Sequence, residues 1–165
     1  MMRWMFQQTK KMENKSFLSA SDIELVFALV YEKVGHDINA IFQKLINSGL
    51  DSRSLGFWVW DIANNKELYS PQFRAVLGFQ NDIDFPDVPE SWMQQINKED
   101  LKLVMNNFNA HVKTGGLAPY SQLVRYNKKD NTEFILVCHG KVISWLDKDK
   151  GLPSIMVGIH TTHID

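Results

Sequence analysis

Cys138 is the chain's single cysteine, and one thiol builds neither an intramolecular disulfide nor a multi-cysteine zinc or iron–sulfur site. It ends the apolar run Phe134-Ile135-Leu136-Val137-Cys138 and reads as a buried hydrophobe. The five histidines are scattered. His111 follows Phe108 at helical spacing, near an apolar face. His139 and His160 fall in extended stretches. His160 and His163 point to opposite faces of a strand end, a weak metal pattern. Ser70 precedes Pro71 and is explained as a helix cap. No nucleophile elbow, phosphate-cradling glycine loop or carboxylate pair on an apolar surface is present. Catalysis and metal binding are therefore not expected.

A chain of 165 residues holds one domain with about 50 residues to spare. Hydrophobic residues make up 44% and charged residues 22%, a globular balance. Eighteen basic against nineteen acidic residues give a net charge of -1, which leaves no electrostatic footprint for nucleic acid. Met1-Met2-Arg3-Trp4-Met5-Phe6 runs into Gln7-Gln8-Thr9-Lys10-Lys11, too short for a signal-peptide core or a membrane span. The run from Leu25 to Tyr31 is also too short. A cytoplasmic domain without a membrane span or nucleic-acid partner is expected. Aromatic content is the unusual figure, 12% with five Trp and ten Phe.

The first 50 residues read as helices. Ser21-Asp22-Ile23-Glu24 has capping-box spacing, and Ile23, Val26, Phe27, Val30, Tyr31 and Val34 form the stripe of a half-buried helix. Gly35-His36 breaks it. Asp37 caps a second helix with Ile38, Ile41, Phe42, Leu45 and Ile46 on one face, stopped by Ser48-Gly49. From Gly56 the period shortens. Phe57 to Asp61 and Glu67 to Tyr69 read as short strands, Ser70-Pro71 starts a helix ending at Gly78, and residues 80 to 90 are an irregular loop. Trp92, Met93 and Ile96 suggest a helical turn. Asn97 caps a longer helix that Gly115-Gly116 closes. Three strands of an antiparallel meander follow: Tyr120 to Tyr126, Phe134 to His139 leading into Val142 to Leu146, and Ile155 to Ile159. Helices segregated from strands indicate an α+β fold.

Several ordered motifs resemble a known family. Gly56-Phe57-Trp58-Val59-Trp60-Asp61 resembles the "G-x-W-x-W-D" opening of PAS sensor domains in their PAS-plus-PAC form. Ser70-Pro71-Gln72-Phe73 with Leu77-Gly78-Phe79 resembles their "S-x-x-…-L-G-Y" helix. Trp92 to Asp100 resembles "W-x-x-x-I-H-P-E-D", Asn97-Lys98 standing for "H-P". Val124 to Phe134 resembles "Y-R-x-x-R-K-D-G-x-x-W", with Asn131 for the turn glycine and Phe134 for the Trp. Val157 to Asp165 resembles "x-G-x-x-x-D-I-T".

The resemblance implies a PAS fold over residues 54–165, a five-stranded antiparallel sheet with short helices on one face. Residues 21–50 would be cap helices that cover the sheet or dimerise, and residues 1–20 a mobile or partly helical tail. It also implies an interior pocket that some members fill with haem, flavin or a metabolite. The "G-x-N-C-R-F-L-Q" motif of photoactive flavin members is absent. No cofactor is expected, haem, with His111 as the candidate axial ligand, and noncovalent flavin being the alternatives. Trp58, Trp60, Phe73, Phe79, Tyr120 and Tyr126 are the candidate pocket walls, with Gln122 as polar anchor; alternatively the same rings fill the core. Outward positions are unusually apolar. Val26, Phe27, Val30, Phe57, Val59 and Leu123 are the candidate cover or dimer face, because a strand apolar on both sides is covered on both sides. The expected function is a sensory, signal-transducing module acting through homodimerisation and contact with a partner or output domain, such as a histidine kinase or a cyclic-dinucleotide enzyme, at His163-Ile164-Asp165. The alternative is a small-molecule receptor.

Overall fold

A computed structural model describes residues 18–31 and 37–163. Residues 1–17, the stretch from Glu32 through Val34 to the Gly35-His36 break, and the Ile164-Asp165 end lie outside the described residues.

Helix α1 (Ala20–Tyr31) starts earlier than its expected capping box. The box that forms is Ser19 with Asp22. Ser19 Oγ accepts from the Asp22 amide at 3.1 Å, and Asp22 Oδ2 accepts from the Ser19 amide at 2.9 Å. The sequence offers two overlapping boxes. The upstream one lengthens the helix without disturbing the apolar stripe, so Ser21 and Glu24 become ordinary helical residues. Helix α2 (Ile38–Asn47) is capped by Asp37, whose Oδ1 accepts from the Asn39 amide at 2.9 Å. Gly49, at φ 77°, turns the chain into a further short helix, α3 (Leu50–Arg53).

Strands β1 (Phe57–Asp61) and β2 (Lys66–Tyr69) pair as a hairpin. Helix α4 (Pro71–Leu77) follows at once, and its cap ties it to the sheet. Ser70 Oγ accepts from the Phe57 amide at 2.9 Å as well as from the Phe73 amide at 3.4 Å. Helices α5 (Glu90–Gln95) and α6 (Lys98–Lys113) lead to β3 (Tyr120–Asn127), β4 (Glu133–Asp147) and β5 (Leu152–Thr162). The stretches 134–139 and 142–146, expected to run one into the other, both belong to β4. Gly140 runs straight through as extended strand because it faces Tyr120; a Cβ there would lie 2.8 Å from that ring. The sheet irregularity falls later, around Val142 to Trp145.

All strands are antiparallel in the order β2-β1-β5-β4-β3, so the last strand closes the middle of the sheet. Period-two alternation then sorts the side chains into an inner cluster under α4 to α6 and an outer one under α1 and α2. Phe57, Val59, Val157 and Ile159 face outward and are buried with Phe27, Val30, Ile41 and Leu45, while Val26 is half-buried against them. Leu123 departs from that set. It sits on the outer side of β3, beyond the reach of α1 and α2, and is 43% exposed.

Ser70 is fully buried, so its hydroxyl is what satisfies the Phe57 amide. Ser70→Ala is expected to lower stability by about 2 kcal/mol, combining a lost cap with a stranded buried N–H. A urea melt checks this; an unchanged midpoint would show that the β1–α4 junction does not depend on that bond.

Candidate functional site

The inner face is a curved aromatic surface. Trp58 and Trp60 project inward from β1, Glu67 and Tyr69 from β2, and Tyr120, Gln122, Val124 and Tyr126 from β3. Cys138 on β4 and Met156 and His160 on β5 complete the sheet wall. The seating of Trp58 on that wall depends on glycine. Gly158 pairs directly with Trp58 and with Gly140, and a Cβ on Gly158 would overlap the indole of Trp58. The Trp58 ring therefore lies against bare backbone.

Helices close the other side. Phe73 on α4, Trp92 on α5 and Val104, Met105 and Phe108 on α6 line the space. Phe108 packs on Trp60 with ring centres 5.3 Å apart. Helix α6 is held there by its first turn and its last. Arg125 on β3 donates to Asp100 Oδ1 at 2.7 Å, and its amide donates to Asp100 Oδ2 at 2.8 Å. The guanidinium keeps that carboxyl below the usual carboxylate range. At the far end, the Val142 amide donates to His111 Nε2 at 3.1 Å. Nδ1 must then carry the ring proton, donated to the Ala118 carbonyl at 2.6 Å.

The cavity measures about 40 Å3, room for a few waters or a ligand of few heavy atoms, and far below the roughly 300–1,000 Å3 of sites for drug-sized molecules. Haem and flavin do not fit this interior. His111, the candidate haem ligand, has both nitrogens engaged and does not line the cavity. Phe79, a candidate wall, also lies off it, packed on Phe85 at 4.9 Å between ring centres. Trp58, Trp60, Phe73, Tyr120, Gln122 and Tyr126 are brought together on it.

Polar groups on this wall lack partners. Gln122 accepts from Asn107 Nδ2 at 3.0 Å, yet its Nε2 has no hydrogen-bond partner, nor does Trp60 Nε1 or either ring nitrogen of His160. His160 is 1% exposed, and burial pulls its pKa down to about 3, so it is neutral. Phe73 packs against it, tilted by 51° with ring centres 4.4 Å apart. Cys138 is pushed up to about 12 by burial and stays a thiol.

Glu67 is the group that sequence reading passed over. It is 3% exposed and accepts from Trp92 Nε1–H at 3.0 Å. Burial raises its pKa to about 8, the indole bond opposing and Glu90 adding to the rise. The signal was present in the alternation of β2. If Tyr69 points inward and Leu68 outward, Glu67 shares the face of Tyr69.

The family described as the PAS fold matches residues 66–160, more than half of the chain. The chain belongs to that family. Among solved structures, a sensory box histidine kinase/response regulator from Burkholderia thailandensis is 21% identical, covering 71% of this chain and 82% of its own, with a TM-score of 0.57. The N-terminal domain of a diguanylate cyclase with PAS/PAC sensor from Marinobacter aquaeolei is 18% identical over 65% of this chain and 93% of its own, TM-score 0.53. A PAS domain from Colwellia psychrerythraea is 11% identical over 74% and 97%, TM-score 0.55. At these identities the likeness is one of fold. No curated protein sequence matches.

Proposed function

We propose that this chain is a sensory module that signals through a second copy of itself and through a partner protein or an output domain joined at its C-terminal end. The observation that carries the reading is the half-covered outer face. Helices α1 and α2 bury β1, β5 and part of β4, whereas Leu123 and Ile135 remain 43% and 40% exposed. Leu123 pairs directly with the half-buried Val137, and Ile135 is two residues further along β4, so the three make a contiguous apolar strip. A symmetric pair of subunits is the commonest way to cover such a strip. Strand β5 supplies the coupling. Met156 and His160 face the cavity while Val157 and Ile159 face the covered side, and the strand ends at Thr162, directly before His163. The B. thailandensis and M. aquaeolei proteins, a histidine kinase and a diguanylate cyclase by description, suggest what an output partner would be.

The expected result is that the purified chain sediments as a dimer and Leu123→Asp as a folded monomer. A wild-type monomer, or a Leu123→Asp dimer, would contradict this reading.

A second reading, a receptor for a small molecule, is supported by the unpaired buried groups Gln122 Nε2, Trp60 Nε1 and His160. Burying such groups without partners costs about 1–3 kcal/mol each, and a bound molecule offsets that. Native mass spectrometry of the protein as purified is expected to show a small noncovalent adduct and no absorbing cofactor. A mass equal to the bare chain at the lowest activation energy would count against the receptor.

A further inference from the structure

We propose that the Glu67 end of the cavity binds a small organic cation, the head of an alkylammonium or quaternary ammonium compound. The inference rests on the receptor reading and narrows its ligand class. Glu67 shares the cavity wall with the rings of Trp58, Trp60, Tyr69, Trp92 and Phe108, and Trp92 touches it directly through its indole N–H. Among the described residues lining that wall it is the carboxyl-bearing one, and none is a lysine or arginine. Arg74 on α4 is committed elsewhere, to Asp87 at 2.7 Å and to the Phe85 carbonyl at 2.9 Å.

A cation placed beside a carboxylate gains from the charge, and over the face of a neighbouring ring from its quadrupole, most where water is excluded. An anion would meet no positive side chain. The cavity volume of about 40 Å3 confines the ligand to a compact head with few heavy atoms.

Binding is linked to a proton. Burial keeps the empty site's Glu67 protonated up to about pH 8, and a cation draws it into the ionised form. The other titratable groups facing it do not share that change. Tyr69 on β2, Tyr120 and Tyr126 on β3 and Cys138 on β4 are all raised by burial and stay neutral. His160 on β5 is held neutral, and Glu90 on α5 has the same sign as Glu67.

Titration of the purified chain with tetramethylammonium chloride, followed by tryptophan fluorescence and by calorimetry in phosphate and HEPES, tests this, with neutral tert-butanol as the size match. The expected result is saturable binding of the cation at least tenfold tighter than tert-butanol, with about one proton released at pH 7. Affinity is expected to rise roughly tenfold per pH unit from pH 6 toward 8, and Glu67→Gln to lose tenfold or more. The pH series needs no variant, so misfolding of Glu67→Gln would leave the test intact. Equal binding of cation and tert-butanol, without proton release, would overturn the cation while leaving a receptor for neutral molecules. No binding of either probe would overturn it too, and the native-mass adduct then decides the receptor reading separately.

Discussion

Gly158→Ala is expected to cost the domain about 3 kcal/mol or more, at the upper end of what overpacking does to a core. Gly158 lies in β5, the strand that closes the sheet between β1 and β4. Its partner in register is Trp58, whose indole occupies the space a Cβ would need. Neither side can yield cheaply. The backbone of β5 is paired on both flanks, and Trp58 is 6% exposed with Tyr120 edge-on at 6.5 Å between ring centres. The methyl therefore drives the indole into the cavity, filling the space beside Glu67 and Cys138. Urea denaturation reads the loss of stability. A double-mutant cycle with Trp58→Leu should recover at least half of it, because the smaller side chain frees the volume. A wild-type midpoint for Gly158→Ala would show that the ring does not lie on bare backbone.

The second large effect is in the pH dependence of stability. Glu67 has a folded pKa of about 8 against the usual 4.5. A raised acid stabilises the fold fully below its unfolded pKa, and that contribution is lost as pH climbs through the folded one. His160 works in the opposite sense. Lowered from 6.5 to about 3, it contributes fully above 6.5 and loses its contribution as pH falls toward 3. Between about 4.5 and 6.5 the slopes cancel, so these two groups predict a plateau there with a fall on either side. At roughly 1.4 kcal/mol per pH unit, the alkaline limb amounts to about 2 kcal/mol by pH 8. Glu67→Gln keeps the shape and removes the charge. It is expected to lie within about 1 kcal/mol of wild type near pH 5 and to exceed it by roughly 4 kcal/mol more at pH 9. Denaturation midpoints at those two pH values check this, and parallel profiles for the two proteins would refute a buried, titrating Glu67.

Much of the architecture was readable before any coordinates. Ser70-Pro71, Asn97 and Asp37 cap the helices that their spacing predicts, because caps act on neighbours a few residues away. Trp58 and Trp60 alternate with Phe57 and Val59, and period two alone sends the pairs to opposite faces. What escaped depends on distant partners. Why residue 140, inside the stretch from Phe134 to Leu146, is a glycine shows only once Tyr120 lies across from it. Leu123 shares the apolar character of Val59, yet coverage stops short of it, and the reach of α1 and α2 is not encoded in β3. Glu67 was passed over because a lone carboxylate in a short strand is ordinarily solvated. Its burial follows from Trp92, 25 residues away. His160 sat in the expected strand, but only the placement of β5 in mid-sheet brings it onto the cavity wall.

Infrared difference spectroscopy of the carboxyl region between pH 6 and 10 tests the central claim, a neutral buried acid inside an aromatic cavity, most directly. A protonated-carboxyl band is predicted at pH 7 that disappears with a midpoint near 8 and is absent from Glu67→Gln. If wild type freed of bound cations shows no protonated carboxyl at pH 7, Glu67 is ionised, and the neutral buried acid is contradicted.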